Sequence, residues 1–313
     1  MSFVDVVVPI FGLILAGWLL KAVGIFPERL VRLVNSYVYY VGITVITFVS
    51  LHDTNKDLLL DPDIYLLSLI PIVAIIVVAM TAAHMLKLNR ISIPVFIICA
   101  FFGNTAYIGF PLNMAVAGKS SLGLTAFISS IYTVAVFTVG AYLFQHYAAG
   151  KPESGKPNQG KSYGLKSMLS GLLSIPVIWA TILGLSLSWI AIPELIRTPL
   201  DWISMSTSPL ALLATGAMIT GYDFREKAKP LGAICAIKLA VMPAAVMIAA
   251  YTLSGGISGP VYRSSLLEAA TPVGVTNAVL AEQFKADKKL ASSAIVISTA
   301  LFIISLAIVL MFV

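Results

Sequence analysis

Ten runs of mostly apolar residues follow one another along this chain, and each approaches the length that a helix needs to cross a membrane. A membrane-spanning helix requires about 20 predominantly apolar residues. With 59% hydrophobic and 11% charged residues, the chain has more apolar surface than one soluble core of its size can bury. The sequence therefore predicts an all-α polytopic membrane protein with ten transmembrane helices. The runs cover roughly residues 4–20, 35–51, 64–86, 92–117, 121–147, 168–191, 201–221, 229–253, 260–282 and 290–313.

Basic residues are concentrated in alternate loops between these runs. Loops that are rich in Lys and Arg remain in the cytoplasm, so both termini are predicted to be extracytoplasmic in a multi-pass protein of the cell inner (plasma) membrane. No basic segment precedes the first run, so we expect no cleaved signal peptide. The formal net charge of +6 reflects this topology, and no nucleic-acid partner is expected. The basic residues of these loops are Lys21, Arg29, Arg32, Lys87, Arg90, Lys151, Lys156, Lys161, Lys166, Arg225, Lys227, Lys229, Lys285, Lys288 and Lys289.

A stretch rich in Gly, Pro and Lys divides the ten runs into five and five. We assign residues 1–149 to a first five-helix repeat, 150–167 to a flexible cytoplasmic linker, and 168–313 to a second repeat. An odd number of helices in each half makes the second half enter the membrane from the opposite side, which is the requirement for an inverted repeat. Prolines at similar places, such as Pro71 and Pro243, support the repeat.

The fourth and ninth runs are each predicted to break near the middle of the membrane. Each contains a helix-interrupting residue about a dozen positions after it begins, Gly103 in one and Pro272 in the other. Twelve helical residues span about 18 Å, which is close to the midplane of a core about 30 Å thick. Two broken helices that cross there would direct half-helix N-termini at an anion and freed carbonyls at a cation. Two kinked helices packed through small residues are the alternative.

Glu268 lies in an apolar stretch four residues before Pro272. A carboxylate is costly in hydrocarbon, so such a residue is interpreted first as functional. We predict that Glu268 couples transport to a cation, either by binding Na⁺ as a metal ligand or by carrying a proton. A structural salt bridge with Lys238, at a similar predicted depth, is the alternative.

The two breaks lie within motifs that resemble those of the auxin efflux carrier family. The run GNTAYIGFPL at residues 103–112 resembles the fourth-segment signature, and AATPVGVTNAVLA at 269–281 is similar to the ninth. KLAVMP at 238–243 and PLALLATG at 209–216 resemble the eighth and seventh segments. The resemblance covers essentially the whole chain.

The resemblance implies a ten-helix transporter that is distantly like the bile acid–sodium symporters. Helices 1, 2, 6 and 7 would form a scaffold, and helices 3–5 and 8–10 a transport domain that moves in an elevator mechanism. The substrates would be organic anions, either carboxylates or auxin-like weak acids. A homodimer through the scaffold helices is a further expectation. Glu268 corresponds roughly to a sodium-coordinating glutamate of the bile acid symporters.

The substrate-binding residues are predicted from this resemblance and from the side chains near the breaks, where Thr105, Thr276 and Asn277 have suitable polar groups but could also bond helices together. Asn104 matches an asparagine that holds the substrate carboxylate in plant members, although an N-cap role is also open because Asn is a good N-cap. The chain departs from the plant proteins at Gly103, at Thr44 and in its short central loop, so a small carboxylate is favoured over an indole. The predicted substrate-binding residues are Gly103, Asn104, Thr105, Pro272, Val273, Thr276 and Asn277.

Other classes of function fit the sequence less well than a secondary transporter. A channel or facilitator for organic anions would show a repeated polar lining or a ring of charge, and an intramembrane enzyme would need catalytic side chains at one depth. The three histidines lie near the ends of runs. No cofactor is expected. Cys99 and Cys235 lie in different runs without metal-ligand spacing and are interpreted as buried free thiols.

Overall fold

The computed structural model describes residues 3–148, 171–219, 228–254 and 256–313 of the chain. Within these ranges every regular element is a helix, and the only β-type pairing is one isolated antiparallel bridge between Gly103 and Val273. The predicted linker at 150–167 lies outside the described residues. The all-helical class predicted from the apolar runs is therefore confirmed.

Eight α-helices form the first half of the chain. Two π-helical turns, at Val38–Gly42 and Thr105–Gly109, and one 3₁₀ turn at Lys119–Ser121 connect some of them without a loop. The helices are α1 (Phe3–Ala22), α2 (Glu28–Tyr37), α3 (Ile43–His52), α4 (Lys56–Leu59), α5 (Pro62–Met85), α6 (Ile93–Phe101), α7 (Phe110–Ala117) and α8 (Leu122–Ala148).

Seven further α-helices are described in the second half. A π-helical turn at Ile237–Val241 joins two of them into one continuous rod. The helices are α9 (Pro176–Ser186), α10 (Glu194–Ala217), α11 (Ala228–Ala236), α12 (Met242–Leu253), α13 (Pro260–Ala270), α14 (Thr276–Gln283) and α15 (Lys288–Val309).

Within the described residues, six helical segments are long and apolar enough to cross a membrane. They are Val4–Ala22, Glu28–His52, Lys56–Met85, Lys119–Tyr147, Ala228–Leu253 and Lys288–Val309. The protein is therefore polytopic. The fourth and ninth predicted spans are each divided into two short helices, and α10 carries Glu194, Arg197 and Asp201 in its first turns. Helix breaks in the fourth and ninth predicted spans, and charged residues in α10, make these segments differ from simple apolar spans. The ten-span topology therefore stays a prediction.

Four helices pack closely with one another on one side of the molecule. Helix α1 lies along α10, and α3 packs against α9 and α10. A Cβ atom added at Gly17 of α1 would collide with the backbone of Leu213, and one added at Gly216 would collide with Ile14. Small residues let helix backbones approach closely in membranes. Glycines therefore set the spacing of the α1–α10 pair.

An ion pair at one end of this helix group joins α3 to α10. The Arg197 guanidinium donates to both carboxylate oxygens of Asp53, over 2.7 Å and 2.5 Å. This pairing, helped by His52, holds the pKa of Asp53 below its usual range. The bidentate geometry fixes the start of α10 against the end of α3.

The remaining long helices surround the largest cluster of buried apolar side chains. Helices α5, α6 and α8 from the first half contribute to it together with α11–α13 and α15 from the second. Large side chains such as Phe96, Phe101, Tyr132 and Phe144 are almost completely buried within it. A smaller cluster, with Ile10 of α1, Leu112 of α7 and Phe302 of α15, joins the two helix groups.

Candidate functional site

Two helix breaks face each other in the interior of the molecule. Helix α6 ends at Phe101, and helical structure resumes at Thr105; α13 ends at Ala270, and α14 begins at Thr276. Thr271 takes an extended conformation, with φ −56° and ψ 146°. The ring of Pro272 disfavours the α conformation at the preceding residue, which explains why α13 ends there. The two breaks therefore occur at the residues that the sequence singles out.

Backbone hydrogen bonds join the two breaks. The Asn104 amide donates to the Pro272 carbonyl over 2.7 Å, and the Gly274 amide donates to the Phe102 carbonyl over 3.1 Å. A Cβ atom at position 103 would clash with Thr271 and approach the Lys238 side chain. Glycine at this position permits the close crossing, which we call the crossover.

Asn104 is buried at the crossover with a donor that has no partner. Its side chain is 3% exposed and makes no capping hydrogen bond to the following helix. The Nδ2 atom has no hydrogen-bond partner among the described residues. Buried amide groups are nearly always hydrogen-bonded. The Asn104 side chain therefore does not cap the following helix in this structure, and its Nδ2–H group is available to donate to a ligand.

A small cavity of about 40 Å³ lies beside Asn104 at the crossover. Four of the predicted substrate-binding residues line it, namely Gly103, Asn104, Thr105 and Thr276. Thr105 is held in place because its hydroxyl oxygen accepts a 2.8 Å hydrogen bond from Ser129 on α8. We call this cavity the crossover pocket.

A larger cavity of about 390 Å³, which we call the vestibule, adjoins the crossover pocket. Six residues line both cavities, and three of these are aromatic. The vestibule extends past Asn35 of α2 to Gln283 at the end of α14. The six shared residues are Tyr39, Tyr107, Phe137, Ile175, Val275 and Thr276.

The other three predicted substrate-binding residues, Pro272, Val273 and Asn277, do not line either cavity. Val273 donates its amide to Ser298 over 3.0 Å, and the Asn277 side chain donates to the Phe102 carbonyl over 3.1 Å. In this structure these residues hold the crossover together. Their contact with substrate stays a prediction.

Glu268 is completely buried near the end of α13, one turn before the break. Its Oε1 atom accepts a 3.0 Å hydrogen bond from the Asn113 side chain on α7. The carboxylate also packs against Gly109, where any Cβ atom would collide with it. The Oε2 atom has no hydrogen-bond partner among the described residues. One oxygen of this carboxylate is therefore fixed, and the other is available.

Lys238 is also completely buried, in the π-helical turn before α12. Its ammonium group donates to the Ala269 carbonyl over 2.6 Å. Lys238 and Glu268 are both described, and no ion pair within 4.0 Å joins them. The direct salt bridge that the sequence left open is therefore not formed. Instead, the lysine donates a hydrogen bond to a carbonyl that the broken helix has freed.

Two more buried oxygen atoms without partners lie on helices that pack against α13. They are the Oδ1 atom of Asn113 on α7 and the Tyr132 hydroxyl on α8, which have no hydrogen-bond partner among the described residues. Leaving buried polar groups unsatisfied costs about 1–3 kcal/mol each. A proton or a hard cation would satisfy these oxygen atoms, and the donor set is chemically suited to both.

Several residues of the site were not identified from the sequence. Asn113 carries the same signal as Asn104, a polar amide within an apolar run, and could have been found on that basis. Tyr107 lies within the motif at residues 103–112, and its hydroxyl donates to Asn35 over 2.8 Å. Tyr39 and Phe137 come from distant helices, and no sequence pattern places them beside the crossover.

Comparison with known proteins relates this chain to membrane transporters. A family model described as "Membrane transport protein" matches residues 2–310. A protein described as an uncharacterized transporter of Methanocaldococcus jannaschii is 24% identical over 314 residues, covering 97% of this chain and 96% of that one. An uncharacterized transporter of Methanothermobacter thermautotrophicus is also 24% identical, over 313 residues, covering 98% of this chain and 97% of the relative.

Proposed function

Because this chain belongs to the membrane transport protein family, the family of the auxin efflux carriers, we propose that it is a secondary transporter of small organic anions. The observation that carries the proposal is the unpartnered Nδ2 of Asn104, buried where two broken helices cross. An amide can donate to a carboxylate without the cost of burying a compensating charge.

The helix ends at the crossover favour an anion in the same place. Helical structure begins at Thr105 on one side and at Thr276 on the other, and both residues line the crossover pocket. The first amides of a helix have no intrahelical partner and carry the positive end of the helix dipole. A substrate carboxylate beside Asn104 would meet this positive potential.

The proposed mechanism is alternating access by an elevator movement of ten transmembrane helices in an inverted repeat. Helices α1–α3, α9 and α10 correspond to the scaffold, and α4–α8 with α11–α15 to the moving unit. The two matching breaks and the packing of α1 and α3 on α10 support this division. The vestibule is bordered by Asn35 of α2 and Gln283 of α14, which we predict to lie on the cytoplasmic side. A cavity open on that side corresponds to an inward-facing state.

Glu268 is the proposed coupling residue. The available Oε2, on the carboxylate that Asn113 contacts through its other oxygen, can take up Na⁺ or a proton as the moving unit exposes it to one side. Lys238 already holds the Ala269 carbonyl, so that oxygen is not free for the ion. A bound cation would offset the cost of a buried carboxylate.

Binding measurements test the proposed anion site. In purified full-length protein, small carboxylates should raise the melting temperature, and Asn104→Ala should remove most of that shift while the protein remains folded. Losing one hydrogen bond to a charged ligand corresponds to about 1.5–3 kcal/mol, or roughly 10- to 150-fold in affinity. Asn55→Ala is the matched control, because Asn55 is an exposed N-cap of α4. Equal shifts in all three proteins would place the anion elsewhere.

A further inference from the structure

A third cavity, of about 790 Å³, lies between α15 and the rod formed by α11, the π-helical turn and α12. None of its lining residues borders the crossover pocket or the vestibule. Leu301, Ile304 and Ile308 of α15 line it and are exposed at the surface. In a polytopic membrane protein an exposed apolar surface of this kind faces lipid. We call this cavity the lateral groove.

One side of the lateral groove consists of small residues. Positions four residues apart lie on the same face of a helix, and five such positions along the rod line the groove. A Cβ atom added at the second of them, Gly232, would meet no atom within 4 Å. The space above this face is therefore open. The five residues are Ala228, Gly232, Ala236, Ala240 and Ala244.

The lining of the lateral groove offers almost no hydrogen bonds. Among the described residues it contains no charged side chain, and its one hydroxyl, that of Ser305, donates to the Phe302 carbonyl over 3.1 Å. Cys235 also borders the groove and is buried, and a free cysteine behaves as a small apolar residue. Water gains little in such a cavity, so the lining favours a hydrocarbon occupant.

The length of the lateral groove matches the hydrophobic part of a membrane. Its lining follows the rod from Ala228 to Met247, and these 19 helical steps correspond to about 28 Å. The hydrocarbon core of a bilayer is about 30 Å thick. An extended acyl chain that enters from the adjoining leaflet would lie along the groove.

A basic group lies at one end of the lateral groove. Lys229 follows the lining residue Ala228, is exposed, and forms no ion pair within the described ranges. Arg225, Glu226 and Lys227 precede it in the sequence, so basic residues outnumber acidic ones here. We predict that this end is cytoplasmic. Basic residues at the cytoplasmic end of a membrane helix attract anionic lipid headgroups.

A helix from a second copy is the alternative occupant, because small residues at this spacing also let membrane helices approach closely. Two observations favour lipid. Lys229 supplies a charge that matches an anionic headgroup. In addition, α11, α12 and α15 belong to the proposed moving unit, whereas the expected homodimer forms through the scaffold helices. A lipid chain leaves the moving unit free of a second copy.

We propose that the lateral groove binds one acyl chain of an anionic phospholipid, with the headgroup phosphate beside Lys229. The chain covers the small residues of the rod, and the exposed side chains of α15 form its other wall. This site is separate from the crossover, and lipid binding there does not depend on the proposed anion site.

Native mass spectrometry of the delipidated full-length protein tests the groove. The probes are phosphatidylglycerol, which is anionic, and phosphatidylcholine with the same acyl chains. Gly232→Leu fills the groove from a position where the new side chain meets open space, so the first bound lipid of either kind should lose at least about five-fold in affinity. Gly12→Leu is the matched control, because Gly12 also faces open space and lies on α1, outside the groove.

The headgroup contact is tested by the preference between the two lipids. One lysine near a membrane surface corresponds to about five-fold in affinity, so phosphatidylglycerol should bind more tightly than phosphatidylcholine by about this factor. Lys229→Gln should abolish the preference and leave phosphatidylcholine binding unaltered. Arg29→Gln, at an exposed position of α2 outside the groove, should retain it.

Three results would overturn the proposal. Unchanged lipid affinity in Gly232→Leu would show that the groove does not hold the acyl chain. A preference for phosphatidylglycerol that survives in Lys229→Gln would refute the headgroup contact, and this exposed substitution keeps the test open if Gly232→Leu does not fold. A dimer that dissociates in Gly232→Leu, with lipid binding unaltered, would identify the groove as an interface between copies.

Discussion

Glu268 is a completely buried carboxylate with one oxygen fixed and the other without a partner among the described residues. Asn113 fixes one of its oxygens, and Gly109 leaves just enough space for the group. Glu268→Gln preserves the size of the side chain and removes its charge. We expect the variant to fold and bind substrate but to lose the dependence of transport on a Na⁺ or pH gradient, measured in proteoliposomes with each gradient imposed in turn.

Glu282→Gln is the appropriate comparison for this variant. Glu282 forms an exposed ion pair with Lys288, with an N–O distance of 2.8 Å, and its loss should leave the ion dependence unaltered. Full retention of ion dependence in Glu268→Gln would contradict the role of Glu268 in coupling. A misfolded Glu268→Gln protein that is rescued by Lys238→Met would indicate a structural charge pair instead.

Between elements, the backbones of α1 and α10 approach each other closely. Gly17→Ala places a methyl group against the backbone of Leu213, and backbone atoms cannot move aside locally. Overpacking of this kind typically costs about 1–3 kcal/mol, so we expect a lower melting temperature in detergent. Gly12→Ala on the same helix has open space around the new methyl group and should be neutral or slightly stabilising. Equal melting temperatures for both variants would contradict the close packing of α1 on α10.

The elements that the sequence predicted best are those with strong local causes. Gly103 and Pro272 disfavour helix and lie about a dozen residues into their runs, so both breaks could be located from the sequence. Proline alone is not sufficient, because Pro71 and Pro209 lie inside the continuous helices α5 and α10. The hydrogen-bond partner of Lys238 could not be predicted, because the depth of a residue along a helix does not specify the direction in which its side chain points. Lys238 therefore meets the Ala269 carbonyl instead of the Glu268 carboxylate. Likewise, only the tertiary packing brings Tyr39 and Phe137 to the crossover.

For the whole molecule, the central prediction is the inverted arrangement of two five-helix halves. It requires the stretch at 150–167 to be cytoplasmic, because basic loops are retained there. Ser154→Cys should react with a membrane-impermeant thiol reagent only from the cytoplasmic side, and Asn55→Cys only from outside. The native Cys99 and Cys235 are buried, which keeps the background low. Labelling of Ser154→Cys from outside would overturn the inverted topology.

Transport itself is tested most directly by counterflow in proteoliposomes that contain the purified full-length protein. Vesicles loaded with an unlabelled monocarboxylate should transiently accumulate the same labelled compound from outside, because a carrier with one alternating site exchanges substrate. Asn104→Ala should lose most of this accumulation, and Asn55→Ala should retain it. Equilibration of label without transient accumulation would indicate a channel, and unchanged counterflow in Asn104→Ala would contradict substrate binding at the crossover.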